Sequence, residues 1–120
     1  MSNKILSIDD SSFIRESLRV ALGMKNYTVI LAENGKEGLQ AFAEHKPDLI
    51  ITDINMPELD GISFIQEIRK IDTEVPILVL TTETDTAVGK EITQTGGNGW
   101  IKKPFKPAQL LQMVEDLLDD

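Results

Sequence analysis

Five polar side chains that could do chemistry stand at the ends of four apolar runs in this sequence. Asp9 and Asp10 follow the first run, and Asp53 follows the central one. Thr81 and Lys103 stand at the ends of two later runs. In an open α/β sheet, functional groups collect just beyond the carboxyl ends of the parallel strands. The sequence therefore predicts that these five side chains meet at one edge of a sheet.

Three carboxylates in one pocket predict a bound cation. Two like charges ~4 Å apart repel each other by about 4 kcal/mol at an effective dielectric constant of 20. A cluster of Asp9, Asp10 and Asp53 is therefore favoured when a positive ion lies among them. Carboxylate oxygens are hard ligands that select Mg²⁺ or Ca²⁺, and a small site that keeps several waters favours Mg²⁺. Lys103 would add a further positive charge as a flexible point donor.

A carboxylate, a divalent cation and an ammonium group together predict phosphoryl transfer to the carboxylate. Aspartate can act as a covalent nucleophile and form an aspartyl phosphate. The cation and Lys103 would neutralise charge on the transferring oxygens. The hydroxyl of Thr81 could then hydrogen-bond one of those oxygens. Asp53, at the end of the central run, is the predicted phosphoacceptor.

Each of these residues also has an ordinary structural explanation when it is considered alone. Asp9 and Asp10 could cap a helix, and Thr81 could simply be a β-branched strand residue. Lys103 could be a solvated surface lysine, and Trp100 could be a packing residue. The joint placement at four successive strand ends favours the chemical interpretation.

The elements that must position these groups are five strands alternating with five helices. The apolar runs predict strands at residues 4–9, 27–32, 49–53, 77–81 and 100–102. Each strand is followed by a stretch of helical periodicity, and Pro107 suits the first turn of the last helix. Alternation of this kind predicts a parallel sheet covered on both faces. With right-handed crossovers, the expected fold is a flavodoxin-like, doubly wound sheet of order 2-1-3-4-5.

Two of the predicted helices carry more specific expectations. In the third helix the inward positions are predicted to be Ile62, Ile65, Ile68 and Ile71. The segment 85–95 has only Ala87, Val88 and Ile92 as apolar residues. Its buried stripe would be narrow, and this helix is expected to be the least stable one.

Length and composition exclude several classes of protein. The 120 residues correspond to one domain, and the formal charge of −8 disfavours nucleic acid and anionic membranes as partners. Without cysteine there can be no disulfide framework and no thiolate metal site. No apolar run approaches the ~20 residues of a membrane span, and the N-terminus has no signal-peptide pattern. These features fit a cytoplasmic location.

The motifs resemble those of response-regulator receiver domains along the whole chain. They are Asp9-Asp10, Asp53 before Ile-Asn-Met-Pro, Thr81, and Lys103-Pro104-Phe105, in the order and spacing of that family. The stretch 99–105 and the absence of an output domain in residues 1–120 most resemble the stand-alone chemotaxis (CheY-type) members. The resemblance implies a two-component phosphorelay switch and not an enzyme that turns over an external substrate.

The resemblance also implies roles for individual residues. Asp53 would be phosphorylated from the phosphohistidine of a histidine kinase of the CheA type. Asp10 and Asp53 would ligate Mg²⁺ directly together with the backbone carbonyl of Asn55, while Asp9 would act through water. Thr81 and Lys103 would hold the phosphoryl group. The expected partners are that kinase, a downstream target such as the flagellar motor switch or another chemotaxis protein, and a phosphatase.

The sequence departs from the common family pattern beside the site. Trp100 stands where Tyr or Phe is usual, so the expected switch pair is Thr81 and an unusually large aromatic residue. Two rival interpretations remain. One is a haloacid-dehalogenase-type phosphohydrolase, which carries a second Asp where this chain has Asn55. The other is a phosphorylation-independent adaptor, whose pocket residues would normally be incomplete.

Overall fold

The computed structural model describes residues 3–83 and 85–119. Strands and helices alternate along these residues. The strands are β1 (Lys4–Ile8), β2 (Thr28–Ala32), β3 (Leu49–Asp53), β4 (Ile77–Thr81) and β5 (Gly99–Lys102). The helices are α1 (Ser12–Gly23), α2 (Gly35–His45), α3 (Gly61–Ile71), α4 (Thr86–Thr95) and α5 (Pro107–Leu118).

The strands form one parallel sheet of order β2-β1-β3-β4-β5, which confirms the predicted flavodoxin-like topology. The order in which strands are added reverses at β1: β2 is added on one side of β1, and β3 and the later strands on the other. Their register pairs Ile8 with Thr52, and the next register pairs Asp53 with Leu80. The carboxyl ends of the central strands therefore lie side by side, as the site requires.

Apolar layers cover both faces of the sheet. One layer lies between the sheet and α2, α3 and α4, and the other lies between the sheet and α1 and α5. Successive strand residues point into opposite layers, as Leu6 and Ile5 do in β1. Because β3 and β4 are buried along their full length, the side chains at their ends stand on a rigid base.

Side-chain caps define where most helices begin. Ser11, Asn34, Asp60 and Asp85 each accept a hydrogen bond from a backbone N–H in the first turn of α1, α2, α3 and α4. Pro107 occupies the first turn of α5, as predicted. Within the described ranges, no helix has both the length and the apolar character needed to cross a membrane.

The structure corrects four details of the sequence prediction. Ile71 is not inward but 69% exposed, because α3 ends at this residue; Val75, beyond the helix, is buried in the core layer that α3 contributes to. β1 ends at Ile8, although Asp9 still donates its backbone N–H to the carbonyl of Ala32 at 3.1 Å. β2 begins at residue 28 and not at residue 27, and β5 begins at residue 99 and not at residue 100. The narrow stripe of α4 is confirmed, since Ile92 is its only buried residue among those described.

Candidate functional site

The acidic residues predicted from the strand ends do converge on one edge of the sheet. Asp53 is the last residue of β3, and Asp9 and Asp10 follow β1. One carboxylate oxygen from each of the three lies within 4.8 Å of the others. Asp9 and Asp53 are buried, whereas Asp10 is exposed. The pocket therefore has a closed acidic floor and one acidic group at its mouth.

Lys103 reaches into this acidic cluster. Its Nζ donates a hydrogen bond to Asp9 Oδ2 at 2.7 Å and forms an ion pair with Asp53 Oδ2 at 3.1 Å. Its side chain is only 12% exposed. The alternative of a solvated surface lysine is therefore wrong.

Asp9 is held by the start of α1. Its Oδ1 accepts a hydrogen bond from the backbone N–H of Ser11 at 2.9 Å, and its carbonyl accepts one from Arg15 Nη1 at 2.8 Å. The helix cap itself is Ser11, whose hydroxyl accepts from the N–H of Ile14. Because Ser11 caps α1, Asp10 is not needed for capping, and its carboxylate stands beside the pocket.

The loop after β3 fixes the orientation of Asp53. The backbone N–H of Ile54 donates to Asp53 Oδ1 at 2.7 Å. The loop then doubles back, and the N–H of Gly61 donates to the Ile54 carbonyl at 2.7 Å. A Cβ on Gly61 would lie 2.1 Å from the Asp53 carbonyl oxygen, so only glycine fits at this position. Gly35 supports the same loop from α2, since a Cβ there would lie 2.4 Å from the Leu59 carbonyl oxygen.

Thr81 is the last residue of β4, the strand beside β3 at the edge of the sheet that carries the acidic cluster. It is buried, and its hydroxyl accepts a hydrogen bond from the backbone N–H of Glu83 at 2.9 Å. Its carbonyl accepts a hydrogen bond from the N–H of Lys103 at 2.8 Å, which ties the two residues together. Among the described residues the Thr81 hydroxyl accepts this bond and donates none, so its proton can be offered to a new acceptor.

The remaining predicted site residues lie at the periphery. Asn55 is exposed in the loop after β3. Trp100 is 41% exposed, and its indole lies against Gly89 of α4, where an added Cβ would be 3.3 Å from Nε1. The side chain of Trp100, which belongs to β5, therefore lies outward against α4.

Burial and charge shape the electrostatics of the pocket. Burial raises the pKa of Asp53 above its ordinary value; Lys103 opposes that shift and the Asp9 carboxylate adds to it. For Lys103, burial lowers the pKa, but the hydrogen bond to Asp9 and the charge of Asp53 outweigh burial and raise it. Lys103 is therefore a cation at neutral pH.

The donor set fits a hard divalent cation. Three carboxylates face one ammonium group, so the described cluster is short of positive charge. The groups that could bind a metal are all oxygen donors, which suits Mg²⁺ better than a metal that prefers nitrogen or sulfur.

Sequence reasoning missed an apolar surface beside the pocket. Phe13, Val20 and Met24 are among the exposed large hydrophobic residues and line a shallow groove on α1. Pro104 and Phe105, which directly follow Lys103, line the same groove. The signal was present as an i, i+7, i+11 spacing, but the inward stripe of the same helix masked it. We refer to these five residues as the α1 groove.

A comparison with solved structures shows that the fold is of the CheY-like flavodoxin class. The chemotaxis response regulator CheY4 of Vibrio cholerae superposes with a TM-score of 0.93 at 36% identity, covering 98% of this chain and all of that one (100%). A putative response regulator from Chloroflexus aurantiacus superposes with a TM-score of 0.95 at 30% identity, and both chains are covered over 100%.

The family model described as "Response regulator receiver domain" matches residues 5–115, and the chain belongs to this family. It is thus a signalling domain of a two-component response regulator. Membership implies a histidine kinase as phosphodonor and a downstream target. The resemblance inferred from the motifs is confirmed.

The curated relatives are of two kinds: one is covered by this chain over its whole length, and others are covered over about half. The chemotaxis protein CheY of Bacillus subtilis is 32% identical over 120 residues, covering 99% of this chain and 100% of that protein. Response regulator MprA of Mycobacterium ulcerans is 37% identical over 118 residues, covering 98% of this chain but 51% of that protein. The probable transcriptional regulator ycf27 of Guillardia theta is 40% identical, and 45% of its length is covered. The chain thus spans about half the length of the two latter relatives.

Proposed function

We propose that this domain is a phosphorylation-activated switch in which Asp53 accepts a phosphoryl group from a kinase phosphohistidine. The observation that carries the proposal is the arrangement around Asp53. Its carboxylate is buried at a strand end, faces two other carboxylates, and is paired at 3.1 Å with an ammonium group. Such a group is oriented for nucleophilic attack, and the charge needed to steady a phosphoryl group lies beside it.

The proposed transfer conserves atoms and charge. An Asp53 carboxylate oxygen forms a bond to phosphorus while the bond from phosphorus to the imidazole nitrogen breaks. The imidazole keeps that electron pair and takes a proton from solvent when required. Lys103, already a cation, donates a hydrogen bond to a phosphoryl oxygen. The hydroxyl of Thr81, which accepts from the N–H of Glu83, donates a hydrogen bond to a second phosphoryl oxygen.

The oxygen donors described above would hold Mg²⁺. Asp10, Asp53 and the backbone carbonyl of Asn55 are the proposed direct ligands, and Asp9 is proposed to act through water. When bound, the ion neutralises negative charge on the phosphoryl oxygens. The 2.7 Å hydrogen bond from Lys103 to Asp9 keeps both side chains oriented toward the pocket.

The α1 groove is the proposed docking surface for the phosphohistidine-bearing face of the kinase. A donor must bring its imidazole to the mouth of the pocket, next to Lys103. Pro104 and Phe105 continue directly from that lysine into the groove, and Phe13 of α1 is 75% exposed. An unpartnered apolar strip of this kind marks a protein contact site, and its continuity with the pocket selects the phosphodonor as the occupant.

The proposed output is a change in affinity at the face formed by α4, β5 and α5. A ligand shifts a two-state equilibrium only through its different affinity for the two states. A shift from 1:99 to 99:1 requires about 5.5 kcal/mol, which several charge-assisted hydrogen bonds to a phosphoryl group can supply. The full-length match to a Bacillus chemotaxis protein supports a CheA-type donor, a motor-switch or other chemotaxis target, and a phosphatase as the finer proposal.

Acetyl phosphate tests the phosphoacceptor directly. With Mg²⁺, intact-mass spectrometry should show the addition of one phosphoryl group to the natural chain. Asp53→Asn should abolish that addition, whereas Asp116→Asn on the exposed face of α5 should not. Labelling of Asp53→Asn at the natural rate would show that another residue is the acceptor. Turnover of p-nitrophenyl phosphate should be negligible, which separates the switch from the phosphohydrolase interpretation.

A further inference from the structure

Arg69, near the end of α3, forms hydrogen bonds with residues that lie outside the phosphoacceptor pocket. Its Nε and Nη2 both donate to the carbonyl of Gly96, at 3.1 and 2.8 Å. Nη2 also donates to Asn98 Oδ1 at 3.0 Å, and Nη1 donates to the carbonyl of Asp72 at 3.1 Å. One guanidinium group therefore fastens the C-terminal end of α4 to the C-terminal end of α3. We call its contacts with Gly96 and Asn98 the Arg69 anchor.

The Arg69 anchor is also fastened to the sheet. Asn98 Oδ1 accepts a second hydrogen bond from the N–H of Ile77 at 2.8 Å, and the N–H of Asn98 donates to the Ile77 carbonyl at 2.8 Å. Gly96 has a φ of +121°, and a Cβ there would lie 2.9 Å from Arg69 Cγ. The guanidinium stem thus lies directly on the backbone at the end of α4, which leaves that end little room to shift.

The two ends of α4 are held very differently. At the C-terminal end Ile92 is fully buried, and the N–H of Gly97 donates to its carbonyl at 2.8 Å. At the N-terminal end the residues after the Asp85 cap, Thr86 and Ala87, are exposed. Charge-assisted hydrogen bonds and a buried isoleucine therefore hold one end, and a surface cap with the partly buried Val88 holds the other.

The middle of α4 is weakened by its own sequence. Gly89 lies in the helix interior, where glycine is less favourable than alanine because it gains more backbone freedom on unfolding. The indole of Trp100 lies against this glycine. Any displacement of the N-terminal half of α4 would therefore also displace, or uncover, the single tryptophan of the chain.

We propose that α4 works as a lever whose pivot is the Arg69 anchor. The half of α4 nearest the pocket changes position when the Thr81 hydroxyl, with the N–H of Glu83 bonded to it, moves toward a phosphoryl oxygen, while Gly96 and Asn98 stay fixed. Arg69 is thus a positioning residue, about a helix length from the pocket, that confines the response to one end of α4. The trigger rests on the proposed function, whereas the unequal fastening of the two ends does not.

Amide hydrogen exchange resolved residue by residue by NMR tests the lever. In Mg²⁺ alone, the amides of Val88 and Gly89 should exchange about tenfold or more faster than those of Gly97 and Asn98. Adding beryllofluoride, as the phosphoryl mimic, should change exchange at the first pair by about threefold or more and at the second pair by less than about twofold. An equal or larger change at Gly97 and Asn98 in the natural chain would overturn the proposal.

Substitution of Arg69 tests the pivot itself. Arg69→Met keeps the apolar stem and removes the donors, so Gly97 and Asn98 should lose about tenfold of their protection. Their exchange should also become sensitive to beryllofluoride, which a purely structural role of Arg69 would not produce. Arg19→Met, which removes an exposed arginine from α1, is the matched control and should leave both pairs unchanged. If Arg69→Met confines the response to Val88 and Gly89, the pivot assignment is wrong.

Two further readouts keep the outcome interpretable. If Arg69→Met does not fold, Arg69→Lys can replace it: this variant retains one cationic donor, and Gly97 and Asn98 should lose less of their protection. In either case, the exchange rates measured along α4 in the natural chain, with and without beryllofluoride, decide whether the lever proposal holds. Failure of the proposed function has a different signature. Beryllofluoride with Mg²⁺ would then leave the amide of Ile54, beside the phosphoacceptor, unchanged, while the unequal exchange along α4 in Mg²⁺ alone would persist.

Discussion

Replacement of Asp53 by Asn should stabilise the metal-free domain, although it removes one partner of an ion pair. The 3.1 Å contact with Lys103 corresponds to an attraction of about 5 kcal/mol at an effective dielectric constant of 20. The oxygens of Asp9 and Asp10 lie within 4.8 Å, and their repulsions together amount to about 7 kcal/mol on the same scale. The repulsion therefore exceeds the attraction even before the burial of the carboxylate is considered.

The expected gain is smaller than this difference in charge energies. Asp10 is exposed, and solvent screens its share of the repulsion. The amide introduced by Asp53→Asn keeps an oxygen that can accept the hydrogen bond from Ile54, and Lys103 keeps its bond to Asp9. We expect the free energy of unfolding to rise by about 1–2 kcal/mol in EDTA, which corresponds to roughly 4–10 °C in Tm for a domain of this size.

Thermal and urea unfolding of matched variants measure this gain. Glu44→Gln, on the exposed surface of α2, removes the same charge away from the pocket and controls for the general acidity of the chain. Millimolar Mg²⁺ should stabilise the natural chain and Glu44→Gln, by about 1.4 kcal/mol for each tenfold excess over Kd. The same addition should affect Asp53→Asn far less. A Tm of Asp53→Asn in EDTA at or below that of the control would refute the electrostatic reasoning.

The pH dependence of this gain has a definite sign. Burial raises the pKa of folded Asp53 above the unfolded value, so the folded state holds its proton to higher pH. The stability of the metal-free natural chain should therefore fall as pH rises from about 4 through the folded pKa. Asp53→Asn lacks this loss. Its advantage should be small at pH 4 and fully developed at pH 7, and a constant advantage would contradict the assignment to ionisation of Asp53.

Three further predictions concern single side chains. Phe13→Ser should slow phosphoryl transfer from a phosphohistidine donor tenfold or more, roughly the effect of one lost anchor residue, and leave acetyl phosphate labelling unchanged; equal slowing of both would remove the α1 groove from docking. Ser7 Oγ is fully buried without a hydrogen-bond partner in the described chain, so Ser7→Ala should stabilise by about 1 kcal/mol in urea unfolding, whereas Thr52→Val, which removes a bonded hydroxyl, should destabilise. Gly61→Ala should cost about 2 kcal/mol or more because its Cβ meets backbone, while Gly23→Ala, with open space around it, should be neutral or stabilising.

The positions of the acidic residues and of Lys103 could be predicted because strand ends are set by local pattern. An apolar run, a carboxylate and a turn residue appear together in the sequence, and parallel topology then brings such ends to one edge. The contact of Lys103 with Asp9 bridges 94 positions, yet it follows from topology alone. The choice of Ser11 over Asp10 as the cap of α1 depends on fine backbone geometry and did not follow from residue type.

Other features depend on packing between distant side chains and left little trace in the sequence. Arg69 has the pattern of an ordinary polar residue of an amphipathic helix, and its bond to Gly96 crosses 27 positions without any periodic signal. The contact of Trp100 with Gly89 is similar, because a glycine inside a helix only signals weakness. Ile71 matched the inward period but lies where the helix stops, so tertiary context overrode the pattern.

The support that α2 gives to the loop after β3 bears on how variant libraries should be interpreted. Gly35 contributes no functional group, yet any side chain there would collide with the carbonyl of Leu59. A saturation screen scored by signalling should therefore show a strongly intolerant column at codon 35 as well as at the codons of the pocket. The intolerance at codon 35 would reflect the shape of a supporting surface. It would be a mistake to count Gly35 with the five polar side chains that take part in the chemistry.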